Sequence, residues 1–220
     1  MICKGTGTTY EPYITPITKT LDLGNREFNK IGTFPDRIFK NNPNNALYNE
    51  NLELNAWYEH KEIGKVILNG SENDSDWVKI TNSYNTIFAY KGITDITPST
   101  NGTKGYLMSD KFVVLAWNTL STNDLIGISN NANVSNGAIR LAFGLSSTIT
   151  NVEQLKTWLS TNNVEVRYAL ETPTNTKITD TTLINQLEEI DNLQSVNGTT
   201  IIEISGNLPM LVKVRSLKGE

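Results

Sequence analysis

The lone histidine, His60, lies in Trp57-Tyr58-Glu59-His60-Lys61-Glu62, where a neighbouring carboxylate could orient an imidazole for proton transfer. Successive side chains on a strand point to opposite faces, so His60 shares a face with Glu62 and not with Glu59. No Gly-x-Ser-x-Gly elbow or other positioned nucleophile accompanies the pair, so a packing or solvent-facing histidine is expected and no catalytic residue is assigned. Cys3 is the single cysteine, which excludes an intramolecular disulfide and leaves neither a zinc site nor a thiol nucleophile. Glu72, Asp74 and Asp76 form the one notable acidic cluster, within Ser-Glu-Asn-Asp-Ser-Asp-Trp. Oxygen ligands on a loop suit calcium, but the EF-hand spacing is missing; a solvated turn is preferred, and no metal or cofactor is expected. Glycoside hydrolysis needs two facing carboxylates, and no such pair stands out among the 23 acidic residues. Gly5-Thr6-Gly7 lacks the strand-to-helix context of a phosphate loop.

What remains is aromatic and amide chemistry. Sugars are held by aromatic faces against their C–H surfaces and by Asn, Asp or Gln hydrogen bonds to hydroxyls. The candidates are Trp57 with Tyr58, Trp77 beside Asp74 and Asp76, and Trp117 beside Asn118. Trp117 ends the apolar run Phe112-Val113-Val114-Leu115-Ala116 and reads as core. Trp77 is the favoured platform because its loop is polar. The expected glycan-binding set is therefore Trp77, Asp74, Asp76, Trp57 and Tyr58.

The elements that must position these residues are mostly short strands. Asn and Thr are used well above the ordinary level, which favours turns and polar loops over long helices. Strands are expected at 19–23, 26–32, 57–68, 77–80, 86–91, 104–109, 111–118, 124–129 and 138–144, each bounded by Asn, Gly, Ser or Thr. Asn69-Gly70 supplies a strong turn after the strand at 57–68. Residues 41–55 read as an Asn-rich surface loop with no core of its own. Val152, Leu155, Trp158 and Leu159 share one helical face, capped by Thr150 or Asn151 with Glu153 completing a capping box, and Trp158 is expected to pack. Val164, Val166, Tyr168 and Leu170 alternate as a half-buried strand that Pro173 ends. Leu183, Ile184, Leu187, Ile190 and Leu193 form the stripe of a second helix capped by Asp180 or Thr181. Segments 199–205 and 209–217 then read as a hairpin around Gly206-Asn207.

The pattern predicts a mainly β protein: a jelly-roll-like antiparallel β-sandwich with one short helix, followed by a C-terminal helix plus β-hairpin. Residues 1–18 read as a strand or linker from a preceding module, 19–178 as the sandwich, and 179–220 as an appendage. A helix and one hairpin bury too little to stand alone, so the appendage is expected to dock on the sandwich or on a neighbouring subunit. The formal charge of -4, with no dense Lys/Arg run, argues against nucleic acid as a partner. No segment is apolar enough to cross a bilayer, and no signal peptide is recognisable.

Three stretches carry a resemblance. LKTWLSTNNVEVRYALETPTNTKITDTTLINQLEEI at 155–190, DLGNREFNKIGTFPDRIFK at 22–40 and AWYEHKEIGKVILNGSE at 56–72 resemble segments of tail and baseplate proteins of Firmicutes phages and prophages. The opening MICKGTGTTYEPYI resembles the last strand of carbohydrate-binding-like β-sandwich modules in the same proteins. The resemblance implies a non-enzymatic structural component of a phage tail, at the baseplate or receptor-binding tip, made in the host cytoplasm and carried in the virion. Its implied partners are other tail proteins, further copies of itself with three-fold assembly favoured, and a host-surface glycan. The competing reading is a carbohydrate-binding module of a cell-wall- or polysaccharide-active enzyme, with a tail-associated glycan hydrolase behind it.

Overall fold

The structure, a computed structural model, describes residues 17–81, 86–97, 106–122, 126–130, 141–145, 148–194, 202–203 and 211–214. Its strands in chain order are β1 (Ile17–Thr20), β2 (Lys30–Ile31), β3 (Phe34–Pro35), β4 (Arg37–Lys40), β5 (Trp57–Leu68), β6 (Trp77–Thr81), β7 (Thr86–Tyr90), β8 (Leu107–Ser109), β9 (Gly127–Ser129), β10 (Leu141–Leu145), β11 (Val164–Lys177), β12 (Ile202–Glu203) and β13 (Leu211–Val214). The helices are α1 (Trp117–Thr122), α2 (Val152–Thr161) and α3 (Thr181–Gln194). With 39% strand against 20% helix and antiparallel sheets throughout, the protein is a mainly β, sandwich-like fold with few helices.

Two sheets enclose the main core. One runs β12-β4-β5-β11-β8 and the other runs β6-β7-β10-β9. Leu68, Val164 and Val166 of the first meet Trp77, Phe88, Tyr90, Leu141 and Phe143 of the second, and α2 closes the end with Leu155 and Leu159. The outer face of the second sheet presents Ile87 and Ala142, which Leu120 of α1 covers.

The 12-residue β5 works on both faces, because its two halves are covered by different layers. Near its C-terminal end, Val66 and Leu68 face the main core. Gly64 continues that face and lies beneath the Tyr168 ring, which a Cβ at position 64 would approach to 2.4 Å. At its N-terminal end Trp57 faces the other way and packs with Leu21, Phe28, Ile38, Ile178, Leu183, Leu187 and Ile190 in a second core built around α3. The appendage helix thus docks on the sheet within the same chain.

Local chemistry explains most element ends. Gly70 takes φ +84 in the turn after β5, where Glu72 accepts hydrogen bonds from the Asn69 and Gly70 amides at 2.7 and 3.1 Å. Helix α2 is capped by Asn151, whose side chain accepts from the Gln154 amide at 2.8 Å. It is Gln154, not Glu153, that reaches back, accepting from the Thr150 amide at 2.8 Å. Trp158 is partly buried against the main core, 5.9 Å from the Phe112 ring.

Several expectations differ from what is found. Segment 111–118 makes only an isolated parallel bridge, Val114 to Ile128, before turning into α1. Gly127 permits this close approach: a Cβ there would fall 2.5 Å from Leu115 and 2.8 Å from the Val113 carbonyl. Of 26–32 only Lys30–Ile31 is strand, because Phe28 turns into the second core and the chain folds back through Gly32 at φ +57. Pro173 does not end β11; it lies in an irregularity between Ala169 and Thr174, after which pairing with β5 resumes through Lys177. Strands β12 and β13 pair with β4 and β1 respectively, and neither pairs with the other among the described residues. The expected turn at Gly206-Asn207, the readings of residues 1–16 and the side chain of Leu193 lie outside the described residues and side chains.

Charge as well as packing attaches α3. Lys40 Nζ lies 2.8 Å from Glu188 and 3.0 Å from Asp191, and Trp57 Nε1 donates to Glu188 at 2.7 Å. Burial pushes the Lys40 ammonium down, but its bonds to Glu188 and Asp191 outweigh this and hold its pKa above the ordinary 10.5. Burial likewise pushes Glu188 up, and Lys40 with the Trp57 indole reverses this to hold it below 4.5. Asp180 caps α3 by accepting from the Leu183 and Thr182 amides, and those bonds, with Arg26, hold its carboxyl low. Depressed carboxylates contribute stability that is present above their unfolded pKa and lost as pH falls through the folded one. A raised lysine contributes stability that is lost as pH rises through its folded value. The attachment of α3 is therefore expected to be firmest between about pH 5 and pH 10 and to weaken on both sides. Urea midpoints across the acid range should fall less steeply in Glu188→Gln than in the unchanged protein; equal slopes would remove Glu188 from this account.

Candidate functional site

Pairing across β4, β5 and β11 sets Arg37, His60 and Asn175 side by side in one row. His60 Nδ1 lies 2.8 Å from Asn175 Oδ1, and Nε2 lies 3.3 Å from Glu62 Oε1, which Arg37 Nη1 also approaches to 3.3 Å. Glu59 faces the opposite side and meets Arg26 at 2.5 Å, as strand alternation requires. Beneath the row, Phe39 stacks on Tyr58 at 5.7 Å and meets the His60 ring edge-on at 6.2 Å.

The loop between β4 and β5 folds over this row, and it is not the coreless excursion expected. Asn41 is fully buried. Its Nδ2 donates towards the carbonyls of Asn49, Leu52 and Glu53 at 3.1, 3.1 and 3.2 Å, while its Oδ1 accepts from the Asn49 amide at 3.0 Å. Around that hub run three Asx turns: Asn42 accepts from the Asn44 amide, Asn45 from Leu47 and Asn49 from Asn51, at 2.9 to 3.0 Å. The Tyr58 hydroxyl accepts from the Glu53 amide at 3.0 Å and pins the far end. Asparagine is the residue type that closes such turns with its own side chain and tolerates the left-handed φ of +61 found at Asn55.

Between loop and sheet lies an open cleft of about 500 Å³ lined by residues 46–51 with His60 and Asn175. Tyr48 is one of the lining residues and is 42% exposed. The lining supplies amides, an imidazole, a phenol and the Glu50 carboxylate, and holds no Ser, Thr or Cys. Such a surface can exchange hydrogen bonds with hydroxyls and offer one aromatic face to a ring, the chemistry that sugar recognition uses.

The residues anticipated for glycan contact are not gathered here. Trp77 is 5% exposed, with its ring 4.8 Å from Tyr90 and 5.8 Å from Phe143 in the main core, so neither face is open to a sugar. Trp57, 3% exposed, is spent on α3, and Tyr58, 5% exposed, lies under the loop as its support. Asp74 and Asp76 occupy a single 3-10 turn before β6. Asp74 pairs with Lys156 at 2.6 Å on the rim of a separate cleft of about 400 Å³ between that turn and α2. Asp76 accepts from Asn73 Nδ2 at 3.3 Å. Among the described residues no group of three or more His, Cys, Asp or Glu is placed to hold a metal, and no helix is long and apolar enough to cross a membrane.

Reading by residue type passed over Tyr48 and Asn175 and set His60 aside as a packing or solvent-facing histidine. The signal that did point to the place was the density of asparagine at 41–55. No family model, curated protein or solved structure matches the chain.

Proposed function

We propose that this chain is a non-enzymatic structural component of a phage or prophage tail that contributes to attachment by weak contact with a host-surface glycan. The observation that carries the contact is the cleft under the Asn-rich loop, where the exposed Tyr48 ring stands beside Asn49, Asn51 and Asn175 on a rigid, internally bonded support. Preorganisation of this kind reduces the entropy lost on binding, which matters most for a shallow polar site. The tail setting rests on the three sequence stretches that resemble such proteins. Single sites of this size bind weakly, and a tail carrying many copies converts weak contacts into useful avidity.

Tyr48→Ala tests the site. Loss of one aromatic face is worth about 0.5–1.5 kcal/mol, or roughly 2- to 10-fold in affinity. Binding of the purified chain to host cell-wall polysaccharide is expected to weaken by that factor while thermal stability holds, since Tyr48 is largely outside the core. Undiminished binding by the variant would move recognition away from this cleft.

A further inference from the structure

Among the described residues, the second half of β11 is an open sheet edge. On its inner side Thr174–Lys177 pairs with Tyr58–Lys61 of β5. Strand β8 covers only Val166–Tyr168 on the outer side, and Thr97 and Asp95 satisfy groups at Ala169, Leu170 and Thr172. The Ile178 amide donates to the Trp57 carbonyl, which fixes the phase of the ladder: Thr174 and Thr176 bond inward, while the backbone groups of Asn175 and Lys177 point outward. Among the described residues nothing bonds to those outward groups. Thr174, Thr176 and Lys177 are exposed and Asn175 is half-buried.

We propose that this edge pairs with the same edge of a second copy, antiparallel, about a two-fold axis through Thr176. Of the two-fold registers open to this edge, this one pairs both outward residues of each copy; an axis through Asn175 would set Lys177 opposite Pro173, which has no N–H. Asn175 then faces the partner copy's position 177 and Lys177 faces its position 175, so four backbone hydrogen bonds form between the two outward pairs. Pro173, which has no N–H, limits the run on one side, and Ile178, buried and bonded inward, limits it on the other. Each Lys177 comes opposite an asparagine and not another lysine, so the pairing places no like charges face to face. The sheet becomes continuous through the axis. Since the axis stands perpendicular to the sheet, the two Asn-rich loops lie on the same side of it.

The contact is short, so the dimer is expected to be weak and concentration-dependent. In a background with Cys3→Ser, Thr176→Cys brings the two thiols together at a non-hydrogen-bonded pair, where Cα atoms lie about 4.5 Å apart, within disulfide reach. Mild oxidation of this variant is expected to give a covalent dimer. Thr174→Cys, four residues out of register with its own copy, is expected to stay monomeric. Sedimentation of the unchanged chain should show reversible dimerisation that Lys177→Pro weakens at least tenfold, since the proline removes an outward N–H and leaves the inward ladder intact. Equal cross-linking of the two cysteine variants, no cross-linking of Thr176→Cys, a trimer as the sedimenting species, or a dimer indifferent to Lys177→Pro would each overturn the proposal.

Discussion

Asp36→Ala is expected to destabilise the protein by about 3–5 kcal/mol, a large share of the stability of an ordinary domain. Asp36 is 0% exposed, at the entry to β4. Its Oδ1 accepts from the Glu62 and Ile63 amides at 2.9 and 3.1 Å, and its Oδ2 accepts from the Asn29 amide at 2.9 Å with Lys61 Nζ at 3.4 Å. One side chain therefore ties the β2–β3 hairpin to the middle of β5. Alanine strands three buried amides, and each unsatisfied donor costs about 1–3 kcal/mol, partly recovered by relaxation and water entry. It also removes the carboxylate facing Lys61, whose ammonium donates to the Glu27 carbonyl and lies 4.1 Å from the centre of the Phe28 ring in the second core. Asp36→Asn keeps an oxygen for the two β5 amides but turns its Nδ2 donor toward the Asn29 amide and Lys61, so roughly half the loss is expected. Urea denaturation of both variants checks the order; an alanine variant within about 1 kcal/mol of the unchanged protein would show that the hub is dispensable.

Patterns that depend on near neighbours were readable from sequence. The alternation of β5, the Asn69-Gly70 turn, the apolar faces of α2 and α3 and the Asp180 cap each express a side-chain rule over two to four residues, and each is found. Features decided by distant partners were not. Trp77 follows acidic turn residues and so looks wet, yet it is the first residue of β6 and points between the sheets. Asn175 meets His60 only because the irregularity at Pro173 shifts the register; uninterrupted pairing from Ala169 opposite Ile63 would have set Thr172 there. The apolar run Phe112-Val113-Val114 satisfied a strand template, but Gly127 and the edge of β9 determined where it lies. Composition located the Asn-rich loop without revealing its order, since the partners of Asn41 lie 8 to 12 residues downstream.

That hub makes the second large effect specific to the loop. Asn41→Ala removes one amide that serves three carbonyls and the oxygen that holds the Asn49 amide, all in a fully buried position. A loss of about 2–4 kcal/mol is expected, concentrated in opening of residues 42–55 because the main core shares no atoms with the hub. Asn41→Asp keeps the shape and reverses the chemistry: a carboxylate oxygen then faces three carbonyl oxygens, and burial of that charge without a donor is costlier than a small void. Aspartate is accordingly expected to be the worse substitution, although it is the closer one in size. Hydrogen exchange in 42–55 should quicken in the order unchanged, alanine, aspartate, while the amides of β7 and β10 keep their protection. If the cleft is the glycan site, polysaccharide binding should fall in the same order and by more than the loss of Tyr48 alone, because the loop carries every lining residue except His60 and Asn175. An aspartate variant with native exchange in the loop would mean that these three carbonyls do not converge on position 41 in solution.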